Sequence, residues 1–242
     1  MIRCKDCTLR RKQLFRAMNG REVGAIARMR KGDLIVPAGT DVIREGARGQ
    51  AFYTLYEGWA VRYHRLGDEK RQILDVILPG DQVGFTRVLL GESAHSVQTL
   101  TPATFCALDG RALPGALKAN PAMALELLRT WLTEARRSDL RLTMLGRLSA
   151  PERVGYFLIE TYDRLRRRGM ARGGTTAFPL RGVDVADAVG LSRVHVMRAL
   201  KELRSEALLD LDGGDLVIPD FAKLARFTGY VPIPRSGKRA VI

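Results

Sequence analysis

The spacing of small residues in VDVADAVGLSRVHVMRALKEL, residues 183–203, constrains the fold more than any other feature of the chain. Gly190 follows Ala186 by four positions, and Val196 lies six residues further on. A small residue lets a second helix approach closely, and glycine adopts the backbone that a tight turn requires. The segment therefore predicts a helix–turn–helix. The apolar side chains expected to lock its two helices together are Val185, Val189, Leu191 and Val196.

The second helix of this pair has two chemically different faces. At 3.6 residues per turn, Val196, Leu200 and Leu203 share one side, which we expect to be buried. The stretch that follows, LLDLDGGDLVIPD at 208–220, predicts two short strands joined by Asp-Gly-Gly. A helix–turn–helix followed by such a hairpin is a winged helix. The residues expected on the exposed side of the second helix are Arg193, Val194, Met197, Arg198 and Lys201.

Composition indicates what that exposed side contacts. The chain has 40 Lys and Arg against 26 Asp and Glu, which gives a formal net charge of +14. Such an excess favours a polyanionic partner, and an arginine at each end of the exposed side suits bidentate contact with guanine or phosphate. We therefore predict that the helix enters the major groove of double-stranded DNA. The side chains expected at this interface are Ser192, Arg193, His195, Met197, Arg198 and Lys201.

In the rest of the chain, the pattern of apolar residues changes near residue 110. Residues 33–108 form short apolar or alternating runs separated by Gly, Pro and Asp, which is typical of strands joined by tight turns. So many short strands predict an all-β sandwich or barrel. Over 114–168 the apolar spacing becomes helical, and Ser149 with Glu152 forms a capping box that begins a new helix at Ala150.

A heptad pattern in the first of these helices predicts a dimer interface. Leu128, Ala135 and Leu142 recur every seven residues, and Trp131 and Leu145 follow two of them by three positions. Such a stripe is typical of a seam between two helices of different chains. The alternative is a helix that packs on its own β-domain.

Several classes of protein are disfavoured by what the sequence lacks. No segment approaches the ~18 uninterrupted apolar residues of a membrane span, and the N-terminus lacks the apolar region of a secretion signal. Three cysteines, an odd number, favour a reducing compartment, so we expect a cytoplasmic protein. The alternative is an enzyme or carrier with an incidental basic surface. Against it, the sequence has no phosphate loop, Ser/His/Asp set or paired carboxylates at useful spacing.

The order of these segments resembles that of the CRP/FNR transcription regulators. Members of that family have an N-terminal β-roll related to cyclic-nucleotide-binding domains, a long dimerisation helix and a C-terminal winged helix. The family's roll is similar to IREGARGQAFYTLYEGWAVRY at 43–63, which includes Gly58, and to ILPGDQVGF at 77–85. Its recognition helix is similar to SRVHVMRAL at 192–200, where the two arginines match Arg193 and Arg198.

The resemblance implies an α+β fold in three parts. These are an N-terminal cysteine segment with a β-roll sensor domain at 1–118, a dimerisation helix at 119–147 and a winged-helix DNA-binding domain at 148–242. It also implies a homodimeric transcription regulator, and no enzyme, that binds a palindromic operator and contacts RNA polymerase. A signal sensed in the N-terminal domain would control its affinity for DNA.

Three departures from the family pattern change the expected ligands. Val194 replaces the base-reading glutamate and cannot accept a hydrogen bond from cytosine N4, so we expect a different operator. Phe85 follows Gly84 where cyclic-nucleotide members have a glutamate, and Ser93-Ala94 replaces their arginine–serine pair. Without that arginine a buried phosphate would lack its counter-charge, which disfavours cyclic AMP. One alternative is a small-molecule effector, without metal, in a roll pocket around Trp59, Phe85 and Ser93.

The cysteines resemble a different sensor. Cys4 and Cys7 are similar to the N-terminal cysteines that hold the iron–sulfur cluster of FNR, and Cys106 falls where the distant, strand-borne ligand falls. The resemblance therefore implies an iron–sulfur cofactor at these three residues. Gln13 stands in place of a fourth cysteine, so Asp6 or a histidine would complete the set. Zinc and a thiol redox switch are alternatives, as are a CxxC without function and a Cys106 that is only a small buried hydrophobe.

Overall fold

The computed structural model describes residues 3–12, 14–15, 17–67 and 70–233. These residues form two compact units. The first contains the described residues through His64 together with Leu74–Glu134, and the second contains Arg65–Ile73 together with the described residues from Ala135 onward.

Two four-stranded sheets form the core of the first unit. The strands are β1 (Arg30–Val36), β2 (Asp41–Ile43), β3 (Ala51–Glu57), β4 (Ala60–Leu66), β5 (Lys70–Ile77), β6 (Gln82–Val83), β7 (Ser96–Thr99) and β8 (Ala103–Asp109). One sheet has the order β1-β8-β3-β6 and the other β2-β7-β4-β5. Leu34 of β1 is registered with Phe105 of β8, and Ala60 of β4 with Thr99 of β7. Leu55, Phe105 and Val97, from both sheets, meet in one buried cluster, which confirms the predicted all-β core.

Gly58 makes the turn between β3 and β4 with a positive φ of 95°. A Cβ at this position would lie 2.5 Å from the carbonyl oxygen of Pro102. Both the backbone conformation and the available space therefore require glycine here.

Helices cover the other side of the first sheet. They are α1 (Thr8–Arg11), α2 (Gly20–Met29), α3 (Phe85–Leu89), α4 (Leu113–Ala119) and the first half of the long α5 (Pro121–Arg147), whose residues from Ala135 onward belong to the second unit. Asn19 and Glu22 form a capping box at the start of α2. A second buried cluster joins Phe52 and Leu108 of the sheet to Met29 of α2 and Leu127 of α5.

Helix α5 has 27 residues and begins two residues after the expected start at 119. The reason is the pair Asn120-Pro121, because proline disfavours helical backbone in the residue before it. Asn120 accordingly has φ −141° and ψ 82°, which separates α4 from α5. Neither α5 nor any other helix in the described ranges is long and apolar enough to cross a membrane.

The second unit is mostly helical. Its elements are α6 (Ala150–Arg167), β9 (Thr175–Ala177), α7 (Gly182–Val189), α8 (Arg193–Ser205), β10 (Asp210–Asp212), β11 (Asp215–Val217) and α9 (Phe221–Thr228). The backbone N of Ser149 donates to Glu152 Oε2 at 2.8 Å, which confirms the predicted capping box and the start of α6 at Ala150. Helix α6 packs against α7, α8 and α9.

The predicted helix–turn–helix and wing are both present in this unit. Gly190 ends α7 with φ 65° and ψ 36°, the left-handed conformation that the tight turn needs. Val185, Val189 and Val196 are fully buried between the elements, while Leu191 is only half-buried. Strands β10 and β11 pair antiparallel across Gly213-Gly214, whose φ angles are 60° and 89°.

An unexpected contact joins Arg71 and Gln72 to α7. Arg71 Nε donates to Asp187 Oδ2 at 2.5 Å, and its terminal nitrogen pairs with the buried Asp184. Gln72 Nε2 donates to the backbone carbonyl of Ala188 at 3.1 Å. Arg71 and Gln72 are thus joined to the first helix of the helix–turn–helix by polar contacts.

Candidate DNA interface and cysteine cavity

The turn before α8 fixes where the helix begins. Ser192 is its N-cap: Oγ accepts a hydrogen bond from the backbone N of His195 at 3.3 Å and lies 2.9 Å from His195 Nδ1. This contact satisfies an N–H that the first helical turn otherwise leaves unpaired. Ser192, expected at the DNA interface, therefore also has a structural role in starting the helix.

The two faces of α8 differ as the periodicity predicts, with one correction. Val196 and Leu203 are fully buried, but Leu200 is only half-buried and Ala199 is the third core residue. Helical spacing does not decide between them, because i+3 and i+4 lie equally close to the stripe of Val196 and Leu203, so the packing of α8 selects Ala199. The exposed residues of α8 between positions 193 and 201, called the α8 exposed face below, are Arg193, Val194, His195, Met197, Arg198 and Lys201.

The cations of the α8 exposed face are available to a ligand. In the described part of the chain, Arg193, Arg198 and Lys201 pair with no carboxylate. Arg204, one turn further on, is different because its Nε donates to Asp210 Oδ1 at 2.7 Å. Unpaired guanidinium groups on an exposed helix can form bidentate hydrogen bonds to phosphate or guanine.

An apolar stripe runs along the exposed side of α5. Leu128 is 50% exposed, Leu142 is 69% exposed, and Ala135 between them is exposed as well. Leu125 and Leu132, which sequence reasoning missed, are 48% and 61% exposed and lie three residues before Leu128 and Ala135. The signal for them was present, since these positions complete an alternating three- and four-residue spacing. We call these five residues the α5 stripe.

The other two residues expected in that stripe contact their own chain. The ring of Trp131 lies edge-on to Phe85 with 5.5 Å between the ring centroids. Leu145 is half-buried, and its Cδ2 lies 3.7 Å from where a Cβ on Gly190 would stand.

The three cysteines line a single cavity of about 60 Å³ in the first unit. Cys4 and Cys7 come from the N-terminal segment, and Cys106 comes from β8. Arg30 and Asp33 also line the cavity, where the Arg30 side chain hydrogen-bonds Asp33 and its positive charge acts on Cys106. The structure therefore brings together residues that are about a hundred positions apart in the sequence.

Burial sets the protonation of these thiols. It raises the pKa of Cys106, against the opposing effect of the hydrogen bond and positive charge of Arg30. It also raises the pKa of Cys4, where Arg30 again acts in the opposite direction and Cys7 adds to the increase. Both shifts favour the protonated thiol, which reacts more slowly with oxidants and alkylating agents than the thiolate does.

Comparison with known families accounts for both units. Residues 33–120 match the family model of the cyclic nucleotide-binding domain, and residues 152–227 match that of the Crp-like helix-turn-helix domain. The chain belongs to the CRP/FNR family of transcription regulators.

Proteins that are similar to this CRP/FNR regulator over nearly its whole length support this membership. The nitrogen fixation regulation protein FixK of Bradyrhizobium diazoefficiens is 25% identical over 221 residues, which cover 91% of this chain and 92% of the relative. The CRP-like cAMP-activated global transcriptional regulator of Mycobacterium tuberculosis is 26% identical, with 91% and 98% covered. The structure of FixK2 from Bradyrhizobium japonicum has a TM-score of 0.74 at 24% identity and covers 83% of this chain and 98% of that one, which shows the shared fold.

At the cysteine cavity of this CRP/FNR regulator, potential metal ligands are known only for the described residues. Among the described residues, no three side chains of His, Cys, Asp or Glu are placed to hold a metal ion. Gln13 lies outside the described residues, and Asp6 pairs with Arg3 Nε at 2.9 Å. The iron–sulfur cofactor therefore stays a prediction, whereas thiol chemistry requires no further ligand.

The residues expected around an effector pocket in the roll lie in different surroundings. Phe85 stacks on Phe52 with ring centroids 4.6 Å apart. The backbone N of Trp59 donates to Thr101 Oγ1 at 2.9 Å, and Ser93 Oγ donates to the carbonyl of His95 at 2.8 Å. The contacts of the described residues thus do not gather Trp59, Phe85 and Ser93 around one ligand, and that pocket stays a prediction.

Proposed function

We propose that this CRP/FNR regulator is a homodimer whose α8 reads a palindromic operator in the major groove, and whose affinity for DNA depends on the state of the three cysteines. The observation that carries the proposal is the α8 exposed face, where Arg193, Arg198 and Lys201 lie exposed on a capped helix. We expect RNA polymerase as a second partner and, from the odd number of cysteines, a reducing compartment such as the cytoplasm.

The α5 stripe is the proposed interface between the two copies. Apolar side chains at heptad spacing pair with the same helix of a second chain because pairing removes them from water. Such pairing sets two recognition helices about 34 Å apart, one turn of the DNA duplex. In this proposal the parts at 1–118, 119–147 and 148–242 act as sensor, dimerisation helix and DNA-binding domain.

The DNA-binding role is tested with two neighbouring substitutions on α8. Arg198→Ala should weaken binding to a selected operator by about 1–3 kcal/mol and relax its sequence preference if the side chain reads a guanine. Lys201→Ala should instead weaken binding to all sequences alike and reduce the salt dependence by about one ion, as expected for a phosphate contact. Unchanged affinity of Arg198→Ala for both operator and random DNA would show that α8 does not enter the groove.

The dimer is tested by placing a charge in the α5 stripe. Ala135→Asp should give a monomer, because a buried carboxylate would lack a partner at the seam. Ala122→Asp, an exposed alanine of the same helix outside the stripe, is the matched control and should stay dimeric. Sedimentation velocity at micromolar concentration measures both, and a monomeric wild-type protein would contradict the proposed interface.

The sensing role is tested by the chemistry of the cavity. Hydrogen peroxide would take two electrons from two thiols, forming one S–S bond and two water molecules, and the change in DNA affinity should reverse with reductant. Protein purified without oxygen should be colourless and free of metal under this proposal. Brown protein that contains iron and sulfide would replace the thiol switch with an iron–sulfur cluster, and colourless protein with zinc would replace it with a zinc site. Normal regulation by a triple variant with Ser at Cys4, Cys7 and Cys106 would place the sensor elsewhere.

We assign no cyclic nucleotide to this chain, although one relative is named for activation by cAMP. Phe85, which stands where cyclic-nucleotide members have a glutamate, is 8% exposed and packs into the core cluster with Phe52 and Leu108. An aromatic ring held in this way offers no acceptor to a ribose hydroxyl.

A further inference from the structure

Two apolar side chains lie on the α8 exposed face without being needed by the core. Val194 is 59% exposed and Met197 is 54% exposed. The buried side of the same helix is already filled by Val196, Ala199 and Leu203. Val194 and Met197 are three residues apart, which makes them neighbours on the helix surface.

The surroundings of the two side chains define what they can meet. Arg193 precedes Val194, and Arg198 follows Met197 and lies one turn from Val194. The Sδ atom of Met197 lies 3.7 Å from where a Cβ on Gly182 would stand, so the start of α7 supports the side chain. A partner of this surface must therefore be polyanionic. It must also offer apolar groups that are within reach of the side chains of α8.

The major groove of DNA offers one apolar group of this kind, the C5-methyl of thymine. We infer that Val194 and Met197 are specificity-determining residues that contact thymine methyl groups, between the base pairs or phosphates contacted by the flanking arginines. This inference rests on the proposed binding of α8 in the major groove. Val194 has no polar atom, so it gives no preference for cytosine or adenine through their amino groups.

The experiment uses the full-length protein and an operator selected from a pool of random duplexes. Each thymine of that operator is replaced in turn by deoxyuridine, which removes only the methyl group. Wild-type protein should lose affinity about four-fold at each contacted thymine, the value for one buried carbon at about 0.8 kcal/mol. Val194→Ala should bind the thymine and uracil forms of one such position equally, and Met197→Ala should do so at another.

Lys201→Ala is the matched control on the same helix face. It should lower affinity for all duplexes and keep the four-fold ratio between thymine and uracil forms. Because Val194 and Met197 are exposed and alanine favours helix, both variants should fold as the wild type does. Circular dichroism verifies this before the binding measurements.

Failure of the inference differs from failure of the proposed function. If wild-type protein binds a defined operator but no replacement of thymine by uracil changes its affinity, Val194 and Met197 do not read methyl groups. The same conclusion follows if both alanine variants keep the wild-type ratios. If the selection enriches no sequence and Arg198→Ala binds as wild type does, α8 is not the DNA-reading helix at all.

Discussion

Arg141 holds Glu160 through two nitrogens, with Nε 3.0 Å from Oε2 and Nη2 3.1 Å from Oε1. Arg137 Nε lies 3.5 Å from the same carboxylate, whose side chain is 5% exposed. The pair joins the C-terminal half of α5 to α6 inside the second unit. One buried carboxylate therefore forms ion pairs with two largely buried guanidinium groups.

Replacing that carboxylate should be costly. Glu160→Gln leaves Arg137 and Arg141 without this counter-charge, and we expect a loss of about 3–5 kcal/mol in the free energy of unfolding. Urea denaturation at fixed protein concentration measures it. Glu126→Gln is the control, because its partner Arg129 is 51% exposed and such pairs contribute about 1 kcal/mol or less. A loss of under 1 kcal/mol in Glu160→Gln would contradict the reasoning.

Gly58 and Gly39 separate the effect of backbone conformation from that of space. Both have positive φ, 95° and 76°, but only at Gly58 would a Cβ meet other atoms within 4 Å. Gly39→Ala should cost about 1–2 kcal/mol from its backbone alone. Gly58→Ala should cost about 1–3 kcal/mol more, since the chain must move away from Pro102. Thermal unfolding compares the two, and equal melting temperatures would show that the clash relaxes freely.

His95 should make the protein less stable in acid. Burial, followed by the positive charges of Arg62 and His64, lowers its pKa to about 4, against the opposing effect of Glu45 and Asp75. Because an unfolded histidine titrates near 6.5, the unfolded state binds more protons between these values. The stability that the neutral ring provides is present above pH 6.5 and is lost as the pH falls towards 4.

His95→Gln should therefore reduce the difference in urea midpoint between pH 7 and pH 5. His195→Gln, at an exposed position of α8, is the control and should leave that difference as in the wild type. Identical pH dependence of wild type and His95→Gln would assign the acid sensitivity to other groups.

Arg30 should control the titration of Cys106. In a Cys4→Ser, Cys7→Ser background, Cys106 is the only thiol, and Arg30→Ala removes the group that lowers its pKa. The midpoint of the pH profile for alkylation by iodoacetamide should therefore move to higher pH. The midpoint, rather than the rate, is compared because the smaller side chain also widens access to the cavity. Arg28→Ala, exposed near the end of α2 and two residues before Arg30, should leave the midpoint unchanged.

Features that depend on neighbours in sequence were predictable. The turn at Gly190, the wing at Gly213-Gly214 and the capping box at Ser149 each need only a few adjacent residues, and all three are present. Leu200 shows the limit of such reasoning. Helical spacing alone places it as close to the buried side as Ala199, and only the packing of α8 in the tertiary structure selects between them.

Features that join distant segments were not predictable from local patterns. Arg71 and Asp184 are 113 residues apart, and nothing in the charge pattern of either segment indicates the other. The shared cavity of Cys4 and Cys106 was indicated only by resemblance to a family, because two cysteines at this separation have no intrinsic reason to meet. The contact of Trp131 with Phe85 likewise depends on how α5 lies on the sheet, which heptad spacing does not fix.

The separation of α8 into a packed side and an exposed side has a consequence for evolution. Val196, Ala199 and Leu203 hold the helix, whereas the exposed positions 193, 194, 197 and 198 add little to folding stability. Exchanges at such surface positions usually change stability by about 0.5 kcal/mol or less. Under the proposed reading of DNA by α8, descendants of this gene can therefore acquire new operator preferences through single codon changes, without second-site mutations that restore the fold.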